Sequence, residues 1–228
     1  EGQLEVTTCA AYREYGSSID PALKLYAVFR PARRRAPRLL NMHGWHGNVK
    51  SGHRDNVAPP ETQEFFGIAP EMRGRGDSAG KPDVNGWELQ DAVDALGAAA
   101  RMFPDLADTD SIPRLTGGSG GGGNVLGMVG KFPDLFSAAI CECGVSDYAF
   151  FFNADSVGEF RDEMEGAGWI GGNPTTRPEA YLSRGGRVTA MNLMIPLLLL
   201  HGAKDQRVPV AQPQRYVEAL RHHGRAHL

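Results

Sequence analysis

The residues best suited to covalent chemistry are Gly117-Gly118-Ser119-Gly120-Gly121, a Gly-x-Ser-x-Gly set between an apolar run and a helical pattern. A serine in a sharp strand-to-helix turn holds its hydroxyl clear of the main chain. Small flanking residues are needed there because side chains would strike the neighbouring backbone. The helix that follows aims its N-terminal amides at negative charge developing beside the serine. This is a place for nucleophilic attack on a carbonyl carbon. Two other segments fit the same chemistry. His43-Gly44-Trp45-His46-Gly47 follows an early strand, where the amide of Trp45 can join that of Gly120 in holding an oxyanion. The segment His201 to Pro209 puts Asp205 in the turn after a buried strand, where an acid can orient a histidine and stabilise its imidazolium.

Each of these residues has a competing reading. Gly118-x-Gly120-x-x-Gly123 also satisfies a dinucleotide fingerprint, with Glu142 near the end of the next strand as the ribose-binding acid. Such a fingerprint usually opens its domain, whereas here several strands precede it, so the glycines are assigned to the serine turn and no cofactor is expected. Glu142 is also the alternative to Asp205 as the acid, and Asp205 could serve only as a turn residue. His43 and His46 lack a third ligand, and Gly224 interrupts the helix that a His223/His227 metal pair would need. These histidines are read as loop-holding and helix-end residues, and no metal is expected.

The elements that must position these groups alternate between strands and helices, which argues a mostly parallel sheet covered on both faces. Strands are expected at 23–29, 38–42, 64–69, 111–116, 137–141 and 195–200, the last two as near-continuous apolar runs buried on both faces. Helices are expected at 87–102, with Val93, Leu96 and Ala100 on the apolar side, from Asn124 onward, and at 210–222 with Gly224 beyond the end. Between 148 and 187 the pattern weakens while Phe150, Phe151, Phe152, Trp169 and Tyr181 remain to be buried. That segment is expected to be a cap or lid over the site.

Bulk properties exclude other classes. The net charge of -3 carries no basic footprint for nucleic acid, and Arg33-Arg34-Arg35 reads as a solvated loop. The apolar stretch Leu193 to Leu200, broken by Pro196, falls short of the ~20 residues that span a bilayer, so no membrane partner and a soluble protein are expected. Cys9, Cys141 and Cys143 make no disulfide framework. The last two are read as small buried hydrophobes sharing one face of a strand. Cytoplasmic and exported locations both fit.

Five segments together, Gly117–Gly121, Met72–Ser78, Asp91–Leu96, Phe132–Ala138 and His201–Pro209, resemble the catalytic domain of the prolyl oligopeptidase family and its single-domain esterase relatives. The resemblance runs from about residue 20 to residue 228 and implies an α/β-hydrolase fold, here expected as one domain over 1–228. It implies Ser119 as nucleophile, Asp205 as acid and the amides of Trp45 and Gly120 as oxyanion donors. The family's histidine follows the helix represented by Val210 to His222 and one further strand. It is therefore expected beyond Leu228, with His222, His223 and His227 too early to match it. Gly120 stands where peptidases of the family usually carry an aromatic residue, and no propeller is expected to gate oligopeptides. The function this implies is hydrolysis of a carboxylic ester through an acyl-enzyme, with a short peptide as the alternative substrate.

Overall fold

The computed structural model describes residues 10–49, 64–155, 158–166 and 169–227; Cys9 lies outside them. The described residues form an eight-stranded sheet, which opens with the antiparallel pair β1 (Ala11–Gly16) and β2 (Lys24–Arg30). Strand β2 pairs antiparallel with β4 (Phe66–Pro70), which pairs parallel with β3 (Ala36–Met42). From β3 the sheet continues in parallel through β6 (Arg114–Gly118), β7 (Ala139–Glu142) and β8 (Leu197–Leu200), while the two-residue β5 (Ala107–Asp108) pairs with β3. The carboxyl ends of β3, β6, β7 and β8 therefore share one rim, where loops can converge on a ligand. This is the α/β-hydrolase arrangement, a mostly parallel sheet with helices packed on it.

Helix α1 (Glu88–Met102) follows β4, and α2 (Gly120–Lys131) follows β6 directly. Between β7 and β8 the chain makes α3 (Tyr148–Ala154), α4 (Glu159–Arg161, continued as a π-helical turn Asp162–Gly166), α5 (Pro178–Arg184) and a 3₁₀ turn (Gly186–Asn192). Helix α6 (Ala211–His222) closes the described chain, with Gly224 left-handed at φ 66° beyond its end. No helix among the described residues is long and apolar enough to cross a membrane.

Several local expectations shift. Helix α2 begins at Gly120, not Asn124, because contacts of the glycine run with β3 and Trp45 override its poor helix propensity. Strand β6 starts at Arg114 instead of Ser111. The buried side of α1 is centred on Leu89, Ala92, Leu96 and Ala99, with Val93 and Ala100 only partly covered. Strands β7 and β8 are not buried on both faces: Ala139 and Cys141 point into the core, whereas Ile140, Leu198 and Leu200 are 39%, 51% and 45% exposed on the other side. Cys143 falls past the end of β7 with φ 40° and is only partly buried, so it does not share the environment of Cys141.

A buried polar network fixes the start of α2. Asn85, held at φ 60°, donates from its amide to the carbonyl oxygens of Gly123 (2.8 Å) and Arg184 (2.9 Å), joining α2 to α5. Asn124 donates to Asn85 Oδ1 and to Glu88 Oε1, which also accepts the Asn85 amide at 2.7 Å. Burial, with Asp83 nearby, pushes the Glu88 carboxyl up to about 7. A carboxyl whose folded pKa lies above its unfolded value favours the fold fully below that unfolded value. Its contribution is lost as pH rises through about 7. Urea unfolding of wild type and Glu88→Gln at pH 4.5 and pH 8 should therefore show the wild type losing stability relative to the variant at the higher pH. A difference that does not change with pH would refute the raised pKa.

Candidate active site

Ser119 is the turn between β6 and α2, and its backbone is forced to φ 56° and ψ -122°, a region that costs a non-glycine residue of order 1–3 kcal/mol. The turn is held from both sides. The Ser119 amide donates to the Glu142 carbonyl at the end of β7 (2.9 Å), and the Ser119 carbonyl accepts from Gly123 as the helix begins (3.0 Å).

The flanking glycines are not equivalent. A Cβ on Gly117 would lie 2.5 Å from the Gly121 carbonyl oxygen, and one on Gly121 would press on the Met42 carbonyl and lie 2.6 Å from that of His43. At Gly118 the nearest atoms, all of Glu142, are at ordinary contact distance, 3.9 to 4.0 Å. The first and last positions of the motif thus have no room for a side chain, because α2 is drawn in against the end of β3.

The loop after β3 runs beside the serine. A Cβ built on Gly44 would sit 3.6 Å from Ser119 Cβ and 3.9 Å from its Oγ. Among the described residues, neither the Trp45 nor the Gly120 amide meets a backbone acceptor. His43 shapes this loop: its Nδ1–H donates to the Gly44 carbonyl (2.7 Å) and its Nε2 accepts the Met72 amide (3.0 Å). Burial, reinforced by the positive charge of Arg75, lowers its pKa and keeps it neutral.

His46 is tied elsewhere. Its Nε2 lies 2.8 and 2.9 Å from the two carboxylate oxygens of Glu163, and its ring stacks on Phe160. Neither the His43/His46 pair nor His223/His227 belongs to a metal-ligand cluster among the described residues.

Asp205 stands in the loop after β8, on the same rim as Ser119 and separated from it by β7. Its Oδ1 accepts the amides of Arg207 and Val208, both at 2.9 Å. Its Oδ2 is 3.7 Å from His201, whose Nε2–H donates instead to the Val208 carbonyl (2.8 Å). Arg207 reaches Glu159 at 2.9 Å and lies over the Phe160 ring, so the loop that carries Asp205 is fastened to α4. His222 and His223 sit at the end of α6 with Arg187, Val188 and Glu218. None of the described histidines is hydrogen-bonded to Ser119. Glu142 ends β7 with its carboxylate beside Gly118, on the strand next to the serine.

Sequence reasoning missed the ties that hold these loops. The Met72–Ser78 segment was visible as a motif, but not that Arg73 would form a buried bidentate pair with Asp91 (2.6 and 2.9 Å), or that Ser78 would accept the Tyr26 amide. Acidic residues on an otherwise apolar helix face were the only signal available for the first. The bonds from Glu159 and Glu163 left none, since they depend on how α4 packs.

The sequence profile of the prolyl oligopeptidase family matches residues 61–228. The chain belongs to that family, a family of serine hydrolases. It is 26% identical over 210 residues to an uncharacterized peptidase, YuxL, of Bacillus subtilis (strain 168), covering 87% of this chain and 31% of that one. The acylaminoacyl peptidase of Pyrococcus horikoshii superposes with a TM-score of 0.76 at 23% identity, over 94% of this chain and 35% of its own. The esterase Pf2001 of Pyrococcus furiosus does so at 0.69 and 15%, over 93% and 78%. The chain thus spans about a third of the length of the two peptidases.

The spacing around Ser119 makes a direct prediction. Gly121→Ala should cost about 3 kcal/mol or more, at the upper end of overpacking, because the added methyl meets fixed backbone carbonyls. Gly118→Ala should leave the melting temperature within a few degrees of wild type. Thermal unfolding of the two variants checks both, and equal losses would contradict the packing of α2 on β3.

Proposed function

We propose that the protein is a serine hydrolase that cleaves carboxylic esters, with Ser119 as nucleophile. The observation that carries this reading is the strained Ser119 turn lying beside two amides, of Trp45 and Gly120, that no described backbone group uses. A carbonyl attacked by Ser119 Oγ would place its developing oxyanion between those amides, at the positive end of α2. Removing one such donor costs roughly 3 to 4 kcal/mol in other hydrolases.

Asp205 is the acid in this reading. Strands β6 and β8 lie two inter-strand spacings apart, about 10 Å, which leaves room for an imidazole bonded to a group on each side. A histidine outside the described residues is proposed to fill that place. It takes the Ser119 proton as the acyl-enzyme forms and returns it to the leaving alcohol; water then releases the acid.

The whole chain is proposed to act as one α/β-hydrolase domain, with 148–187 as a cap whose aromatic residues close over the serine. No nucleotide is needed in this scheme, since the glycines of the fingerprint are occupied by the turn. The single-domain esterase supports an ester substrate, as does Gly120 where peptidases of the family usually carry an aromatic side chain. The peptidases among the relatives favour the second reading, a short peptide.

A fluorophosphonate should label Ser119 in the full-length protein, and Ser119→Ala should abolish that label. Labelling that survives the substitution would remove Ser119 as nucleophile. The same protein should hydrolyse short-chain aryl esters with a kcat/KM above that for aminoacyl anilides, and a reversed ratio would establish the peptidase reading.

A further inference from the structure

The position after the nucleophile has no side chain of its own, yet the space a side chain would take is filled. A Cβ built on Gly120 would run into the face of the Trp45 pyrrole ring, meeting Cδ1 and Cγ and lying 2.6 Å from Nε1. The indole therefore rests on the Cα of the residue whose amide is the proposed oxyanion donor. It is only 5% exposed. Tyr148 stacks on it at 5.8 Å, and Phe151, Phe160 and Trp169 meet it edge to face at 5.7 to 5.9 Å. Its Nε1–H is buried and finds no acceptor among the described residues. An indole N–H usually has a partner when buried, so one left over beside a reaction site is a donor waiting for something that binds there.

We propose that Trp45 is the specificity-determining residue on the acyl side of the site. Its ring limits the acyl group to a few carbons, and its N–H bonds an acceptor atom carried close to the scissile carbonyl. The inference rests on the serine hydrolase reading above. A carbonyl held by the Trp45 and Gly120 amides has the indole within one side chain's reach. A chain growing toward Gly120 meets the flat of the ring, which the four cap aromatics prevent from turning aside. The substrates it favours are esters of short acyl groups bearing an oxygen near the carbonyl.

The test separates binding from chemistry. In a Ser119→Ala background, anilides from acetyl to octanoyl serve as inert analogues, and their affinities are measured by NMR titration. With Trp45 in place, affinity should fall beyond the four-carbon acyl group. In Trp45→Ala the octanoyl anilide should bind at least tenfold tighter than it does with Trp45, the gain expected from burying a few methylenes. Trp45→Phe keeps an aromatic ring in the cluster and guards against loss of the fold. It should abolish a severalfold preference for methoxyacetyl over the isosteric butyryl anilide. A chain-length profile unchanged in both variants overturns the proposal, as does failure of every anilide to bind. Fluorophosphonate capture of Ser119 in the unmutated protein reports separately on the hydrolase reading. Capture with an unchanged profile sinks only the role of Trp45. A changed profile without capture sinks the hydrolase and leaves a pocket bounded by the indole.

Discussion

The close approach of the α2 N-terminus to the carbonyl end of β3 is the constraint on which the rest of the site depends. Gly121 lies against the carbonyls of Met42 and His43, and that proximity sets where the chain must turn after β6. Ser119 takes the strained conformation because no gentler turn brings α2 so near. The loop after β3 is then obliged to pass beside the serine, with Gly44 as its nearest residue. The Asn85, Asn124 and Glu88 bonds hold the same helix from its other side and carry that hold on to α5. A local steric requirement thus orders three segments distant in sequence.

The aromatic cluster does for the excursion between β7 and β8 what the glycines do for the turn. Trp45 belongs to the loop beside the serine, while Tyr148, Phe151, Phe160 and Trp169 come from the excursion between β7 and β8. His46 and Arg207 add polar ties from the loops after β3 and β8 to Glu163 and Glu159. The loop beside Ser119 and the loop that carries Asp205 are therefore braced by one short stretch, residues 159–163. The position of that stretch governs both.

What the sequence disclosed follows from the range of the forces involved. The serine turn was legible because its steric demands fall on adjacent residues, and the parallel strands because apolar runs are local. The start of α2 was misplaced since glycine's low helix propensity is also local, whereas the contacts that override it come from β3 and Trp45. The burial of β7 and β8 was overestimated for a related reason. An apolar run shows that side chains could be buried on both faces, but only the packing decides which face is covered. The pairing of Arg73 with Asp91 left only a faint trace, acidic residues on an apolar helix face, and that of His46 with Glu163 across 117 positions left none. The roles proposed for Asp205 and the Trp45 amide rest on family likeness; what the fold adds is that Asp205 follows β8 on the rim where β6 ends at Ser119.

Among the described residues β8 is the outermost strand on its side of the sheet, and its sequence is four consecutive leucines without a charge or a proline. Natural edge strands are commonly blunted by such features, because an open row of amides and carbonyls is a template for pairing with another chain. Here Leu198 and Leu200, next to Ile140, add an uncovered apolar stripe to that edge. A strand laid beside β8 would satisfy that row of amides and carbonyls and lie next to the stripe, so this edge is where the sheet of the described residues is most readily extended.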